Sequence, residues 1–255
     1  MLGSMKQLQG FKLLTQGQEF AKVKDVYFDV TAWVLRYLVV DTGGWLASRK
    51  VLLPPDALEK PDWNRKVIPV TLNRKQIENS PPLDADLPVS RQHEADLYDY
   101  YGWESPFWAR MGAMVPRPER AGSKSAEDMD LEQMRGRADE IREDEPDPSL
   151  RALSEVMGYR VQANDGDAGH VEDFYVDDAT WDVRYVVVDT RKWLPGRHIL
   201  LAVPWIDDVN WAASKITVDL TTTDIVDSPE WDPEAPINRE YEDRLFSYYD
   251  RPRYW

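Results

Sequence analysis

The chain of 255 residues carries a formal net charge of −15, with 31 Lys and Arg against 46 Asp and Glu. Such a charge repels phosphate backbones and anionic membrane surfaces, so we expect no nucleic acid as the main ligand. The absence of cysteine excludes disulfides, thiolate metal sites and cysteine nucleophiles.

The hydropathy pattern predicts no membrane segment. No window approaches the ~18 apolar residues that a spanning helix needs, and residues 1–10 lack the apolar core of a signal peptide. With 42% hydrophobic residues, 11 Trp and 12 Tyr, the chain has enough apolar material for packed cores. We therefore expect a globular cytoplasmic protein, with peripheral attachment to a membrane as the alternative.

Short strands are predicted along the first part of the chain. Apolar and β-branched runs at residues 26–29, 35–41, 50–53 and 67–72 are typical of strands, and an earlier strand is expected near residues 11–14. Turn signals such as Gly-Gly at residues 43–44 separate them. Because so many short strands would expose unpaired edges, we expect them to close into a small, strongly curved barrel.

A helix and an aromatic tail are predicted after these strands. Residues 90–101 begin with Ser90, a good N-cap, and carry Leu97 and Tyr101 four residues apart. A proline-containing aromatic segment follows at residues 106–108. This tail either caps its own barrel or docks on the other barrel, a second subunit or a partner.

Residues 109–148 are rich in Arg, Glu, Asp, Gly and Pro and have few large apolar side chains. This composition predicts an acidic, polar linker that is flexible or loosely helical.

After the linker the first pattern returns. Residues 33–42 recur as residues 181–190, an offset of 148 (181 − 33), and about 23 of the 60 positions between residues 25 and 84 are identical at that offset. A second helix is predicted at residues 238–249, with Asn238 as its N-cap, followed by an aromatic tail at residues 252–255.

The duplication predicts two domains of one fold. Their boundaries are residues 1–108 and 149–255, joined by the linker at residues 109–148. Equivalent residues should be buried in both copies, namely Val39 and Val187, Leu53 and Leu201, Ile68 and Ile216, and Leu72 and Leu220. The predicted fold is mainly β: two tandem small barrels, each followed by a short helix and an aromatic tail.

Both copies resemble a known family, the PRC-barrel domains. Residues 17–29 and 164–177 are similar to the opening hairpin of that family, and residues 174–177 and 184–190 are similar to its continuation. The family takes its name from the cytoplasmic part of the photosynthetic reaction-centre H subunit and also occurs in the C-terminal half of the ribosome maturation factor RimM. The resemblance covers about two thirds of the chain and implies small barrels used as protein-binding or assembly modules.

Few residues are candidates for chemistry. His93, His170 and His198 lie in different predicted elements and lack the spacing of a zinc site. The Asp-rich turn at residues 164–167 lacks the later Glu of a calcium loop. Asp29, Asp41 and Arg36 recur as Asp177, Asp189 and Arg184. An ion pair at the strand end is more economical there than acid–base catalysis, so we expect no catalytic residue, no metal and no cofactor.

The sequence favours a non-enzymatic scaffold or assembly module that binds protein partners, with a homodimer left open. The candidate interaction residues are the aromatic side chains of the two tails: Tyr101, Phe107, Trp108, Tyr249, Tyr254 and Trp255. One alternative is a peripheral protein of a photosynthetic reaction centre, and another is a ribosome-assembly factor similar to RimM.

Overall fold

The computed structural model describes residues 1–43, 49–83, 89–103, 149–190, 198–233 and 235–255. The first copy contains β1 (Leu2–Ser4), α1 (Met5–Leu8), β2 (Lys12–Thr15), β3 (Gln18–Asp29), β4 (Val34–Asp41), β5 (Lys50–Leu53), β6 (Val67–Pro69), α2 (Arg74–Glu78) and α3 (Arg91–Tyr101). The second contains β7 (Leu150–Ala152), α4 (Leu153–Val156), β8 (Arg160–Ala163), β9 (Gly166–Asp177), β10 (Val183–Asp189), β11 (His198–Ala202), β12 (Ile206–Asn210), β13 (Lys215–Val218), α5 (Thr222–Val226) and α6 (Arg239–Tyr248).

The predicted strands of both copies are present. The strands β3 and β9 are each 12 residues long, far longer than the runs that predicted them, because the hairpin from β2 continues straight into them. At that turn Gln16 and Gly17 both have positive φ angles, of 50° and 77°, as a two-residue hairpin turn of type I′ requires. Both predicted helices are confirmed, with the side chains of Ser90 and Asn238 accepting N-cap hydrogen bonds. The linker at residues 109–148 lies outside the described residues, as does Gly44.

The two copies bury the same positions. All eight residues expected to be equivalent are buried: Val39, Val187, Leu53, Leu201, Ile68, Ile216, Leu72 and Leu220. Trp33 and Trp181 precede β4 and β10, respectively, in equivalent hairpin turns. The duplication in the sequence is therefore a duplication of structure.

The described strands form two sheets rather than two closed barrels. The first sheet has the order β5-β4-β3-β2-β6, and the second has the order β11-β10-β9-β8-β13-β12. Among the described residues, the outer strands of each path do not pair with each other. The free edge of β5 is instead covered by the segment after α2, where Leu83 donates its N–H to the carbonyl of Lys50 at 2.8 Å. Because this edge is covered, the sheet does not have to close into a barrel to protect it.

Each sheet also receives a strand from the other copy. The strand β1 pairs with the end of β9, where Leu2 lies opposite Asp177, and β7 pairs with the end of β3, where Leu150 lies opposite Asp29. These two registers are the same at the offset of 148 residues. The first three-residue strand of each copy is therefore exchanged, and the two copies are related by an approximate twofold axis.

The hairpin turns before β4 and β10 meet at that axis. The N–H of Leu35 donates to the carbonyl of Trp181 at 2.9 Å, and the N–H of Val183 donates to the carbonyl of Trp33 at 2.8 Å. Both tryptophans have a left-handed backbone, with φ angles of 52° and 63°. Such a conformation costs of order 1 kcal/mol or more in a residue other than glycine, and here it turns each carbonyl towards the other copy. We call this junction, residues 30–35 and 178–183 with β1 and β7, the seam.

Apolar packing is continuous across the seam. The rings of Phe28 and Phe174 lie 5.3 Å apart, and Trp33 lies 6.0 Å from Phe174. Gly3 on β1 also contributes, because a Cβ there would lie 1.9 Å from the ring of Trp63, which donates a hydrogen bond to Asp178 of the second copy at 3.1 Å. One hydrophobic cluster contains residues of both copies.

Carboxylates at equivalent positions hold the exchanged segments. Asp173 accepts a hydrogen bond from the backbone N–H of Lys6 at 2.9 Å and another from the hydroxyl of Ser4. Asp25 accepts from the N–H of Ser154 at 3.3 Å and from its hydroxyl at 2.5 Å. Each carboxylate thus caps the short helix that follows the other copy's exchanged strand.

The first prediction concerns a cut between the copies. A protease site introduced within residues 109–148 should, after cleavage, give two fragments that still elute together on size exclusion in native buffer, because β1 and β7 each complete the other copy's sheet. The mixture should separate only in denaturant. Separate elution of the fragments in native buffer would contradict the strand exchange. In the cleaved protein, Gly3→Ala should weaken the association, whereas Arg151→Ala, at the equivalent position of β7, is the matched control.

The second prediction concerns Asp173. Burial raises the pKa of its carboxyl group to about 6 from the ordinary 3.8, against the opposing effect of hydrogen bonds from Ser4, Lys6 and Phe174. The stabilisation by the protonated group is complete below pH 3.8 and is lost as the pH rises through 6. Asp173→Asn, which carries no charge, should therefore gain about 1 kcal/mol of stability relative to the wild type between pH 5 and pH 8.

Urea unfolding of the wild type and of Asp173→Asn at both pH values measures this difference. Taking the difference between the two proteins cancels the titration of all other carboxylates. An unchanged difference between pH 5 and pH 8 would show that Asp173 is ionised throughout this range.

Candidate protein-interaction site at the seam

A groove of about 480 Å³ opens at the seam. Trp33 of the first copy lines it together with residues of the second copy, among them Trp205, Phe246 and Tyr254. Pro204 and Pro252 add two further flat apolar surfaces. The volume lies within the range of ligand-binding pockets, and neither copy forms the groove alone.

The second copy positions its rings through a short helical turn and α6. The 3-10 turn Val203–Trp205 places Trp205 5.2 Å from the ring of Phe246 and 4.6 Å from the ring of Tyr249. Trp205 and Phe246 are buried, so they form the floor of the groove. Their rigid packing fixes its shape before any ligand is bound.

The C-terminal tail forms one wall. The hydroxyl of Tyr254 donates to Glu242 on α6 at 2.5 Å, and the guanidinium of Arg184 lies 4.5 Å from the centre of the Tyr254 ring. Trp255 packs edge-on against Phe246 at 5.3 Å and beneath Arg239 at 4.3 Å. Tyr254 and Trp255 nevertheless keep 38% and 43% of their surface exposed, so the tail is attached to its own copy while still presenting aromatic surface.

Glu242 is the buried anchor of this wall. Besides Tyr254, it accepts a hydrogen bond from the hydroxyl of Tyr185 at 2.7 Å, and Arg239 lies 3.0 Å from its second oxygen. Burial, together with this carboxylate, raises the pKa of Tyr254 to about 12 and raises that of Tyr185 as well. Both phenols are therefore hydrogen-bond donors at neutral pH, and Glu242 remains satisfied.

The other aromatic residues predicted from the sequence lie in different surroundings. Tyr101 stacks on Trp103 at 4.5 Å, and Tyr249 packs on Trp205. Both are partly buried, and burial raises the pKa of Tyr101 to about 12. Phe107 and Trp108 lie outside the described residues. Of the six predicted residues, the structure places Tyr254 in the groove, with Trp255 and Tyr249 beside it.

Sequence reasoning missed Trp33, Trp205 and Arg184 as groove residues. Trp33 belongs to the most strongly repeated segment, but its counterpart Trp181 is buried, and repetition alone does not distinguish core from surface. Trp205 differs from its counterpart Ala57. The replacement of a small residue by a large aromatic ring in only one copy is the sequence signal that could have identified Trp205 as a groove residue.

The repeated arginines have different surroundings in the two copies. Arg36 is fully buried between Asp29, at 3.3 Å, and Glu94 on α3. The expected pair of Asp29 with Arg36 is therefore present. Arg184 is partly exposed and pairs with Asp182 at 2.6 Å. Asp41 lies 3.5 Å from Lys24. In the first copy the arginine ties α3 to the sheet, and in the second copy it faces the groove.

The remaining chemical candidates are dispersed. His93 is on α3, His170 on β9 and His198 on β11, where His198 lies 2.5 Å from Glu172. Within the described ranges there is no group of three His, Asp or Glu residues suited to a metal ion. None of the helices in the described ranges is long and apolar enough to cross a membrane.

The two arginines give a matched stability prediction. Arg36→Met leaves the buried carboxylates of Asp29 and Glu94 without their cation and should lower the free energy of unfolding by about 3–5 kcal/mol. Arg184→Met removes a partly exposed ion pair and should cost about 1 kcal/mol or less. Urea denaturation of both variants measures the contrast, and equal losses would show that Arg36 is not the buried tie of α3.

The comparisons with known proteins agree with the duplication. A family model described as PRC-barrel domain matches residues 5–75 and again residues 149–225, once in each copy and over more than half of the chain. No curated protein matches the chain. The chain therefore belongs to the PRC-barrel domain family, as a tandem pair.

Proposed function

We propose that the chain is a non-catalytic protein-binding module whose two copies act as one unit and hold a partner in the groove at the seam. The observation that carries this proposal is the composition of the groove, in which Trp33 comes from one copy and Trp205 and Tyr254 come from the other. PRC-barrel domains are in general protein-interaction or assembly modules, which supports the same role.

The chemistry of the groove favours binding over catalysis. Its lining is mostly aromatic and aliphatic, and among the described residues the ionisable groups that line it besides Tyr254 are Asp182, Arg184 and Arg251. Asp182 and Arg184 pair with each other at 2.6 Å, so neither is poised as a free acid or base. Flat, partly exposed rings around a buried aromatic floor are typical of protein-binding hot spots.

This proposal explains why the chain contains two copies in a fixed orientation. Two separate copies would offer two weak sites, linked only by the segment between them. Strand exchange instead fixes both copies in one orientation, so a single site can use side chains of both. A partner would then recognise the pair and not either copy.

A site-specific photo-crosslinker tests the proposal in the intact chain. Benzoylphenylalanine placed at Ile206, which lines the groove, should crosslink one reproducible protein in the native cells, identified by mass spectrometry. The same group placed at Tyr248, which is 41% exposed and does not line the groove, should not crosslink that protein.

A matched pair of variants provides the control. Ala32→Trp fills the groove from the turn of the first copy and should abolish the crosslink. Ala212→Trp, in the exposed turn after β12 and outside the groove lining, should leave the crosslink unchanged. If Ala32→Trp keeps the crosslink, or if Ile206 and Tyr248 give the same products, the groove is not the binding site.

A further inference from the structure

We propose that the groove recognises an extended, proline-containing peptide segment that carries a carboxylate, and this inference rests on the proposed function of the groove as a protein-binding site. The proposal follows from two independent properties of the lining, its flat ring surfaces and its arginines.

The shape of the groove suits a polyproline II segment. Trp33 and Tyr254 present partly exposed aromatic rings, the buried Trp205 forms the floor, and Pro204 and Pro252 add further rigid rings to the lining. Proline-rich segments bind aromatic-lined grooves because their pyrrolidine rings pack flat on such surfaces and their extended backbone is already ordered before binding.

The arginines of the groove favour a ligand that carries a carboxylate next to its prolines. In the described part of the lining there are two arginines and one aspartate, whereas the chain as a whole carries a net charge of −15. Arg251 pairs at 3.1 Å with Asp219, an exposed residue outside the lining. The described lining by itself therefore carries a formal charge of +1 (2 − 1), opposite in sign to that of the molecule.

Arg184 is the best placed of these cations. It uses one nitrogen for Asp182 at 2.6 Å, and its Nε is shielded from solvent with no hydrogen-bond acceptor among the described residues. Stacking on Tyr254 at 4.5 Å holds its guanidinium plane beside the groove. A carboxylate of the ligand could accept from the N–H groups at the end of the guanidinium that Asp182 does not use.

Fluorescence polarisation on the full chain tests this inference. The probe is a fluorescein-labelled peptide of six prolines followed by two glutamates. We expect saturable binding that is lost when the prolines are replaced by serines. Replacing the glutamates by glutamines should weaken binding about threefold to fivefold, the size of a partly exposed ion pair. Replacing them by lysines should weaken it further.

Variants then locate the contacts. Arg184→Gln should remove the difference between the glutamate and glutamine peptides, while Arg253→Gln, which alters a tail arginine that pairs with Asp243 outside the groove, should preserve it. Ala32→Trp should abolish binding, and Ala212→Trp, in an exposed turn outside the groove lining, should not. Circular dichroism melting of each variant confirms that loss of binding is not loss of fold.

Several outcomes would overturn the inference. Equal binding of the serine peptide, stronger binding of the lysine peptide, or no binding at all would each do so. Concentration-dependent self-association that Ala32→Trp abolishes would assign the groove to a second copy of this chain and would also overturn it. If the photo-crosslink at Ile206 persists while the peptide fails to bind, the groove still binds protein and only the ligand chemistry is wrong.

Discussion

The reciprocal pairing at the seam is the constraint on which the rest of the structure depends. Two backbone hydrogen bonds between the hairpin turns and two exchanged strands set the orientation of the copies. Trp33 and Trp181 keep a left-handed backbone to make these bonds. Side chains as distant in sequence as Trp33 and Tyr254 meet in one groove only because this junction is fixed.

The two copies differ in the partners of one equivalent buried carboxylate. In the first copy, Glu94 of α3 binds the buried Arg36. In the second copy, the equivalent Glu242 of α6 binds the hydroxyls of Tyr185 and Tyr254. The carboxylate is buried in both copies, but in the second copy Arg239 of α6 and Tyr254 of the tail take the place of the buried arginine. This exchange of partners frees Arg184 to lie beside the groove and attaches the tail as its wall.

Much of the fold could be predicted because its signals are local or repeated. Strand runs, the N-caps Ser90 and Asn238 and the equivalent core positions follow from propensity and from an ungapped repeat. The exchanged strands could not be predicted, because a three-residue strand has no measurable periodicity. The repeated sequence is also the same whether the strand at Leu150 pairs within its own copy or with Asp29 of the other copy, so the repeat does not distinguish the two pairings. The groove could not be predicted either, because it forms only where the two copies contact each other.

The exchange also determines the order in which the chain can complete its structure. The strand β3 has no β7 to pair with until residues 150–152 have been synthesised, and β1 must remain unpaired until the end of β9, at Asp177, is available. The paired residues are 121 (150 − 29) and 175 (177 − 2) positions apart, and long-range pairing of this kind slows folding. During synthesis the first copy therefore has an incomplete sheet edge for more than a hundred residues, a period in which nascent chains are most exposed to aggregation and in which chaperone binding would have its greatest effect.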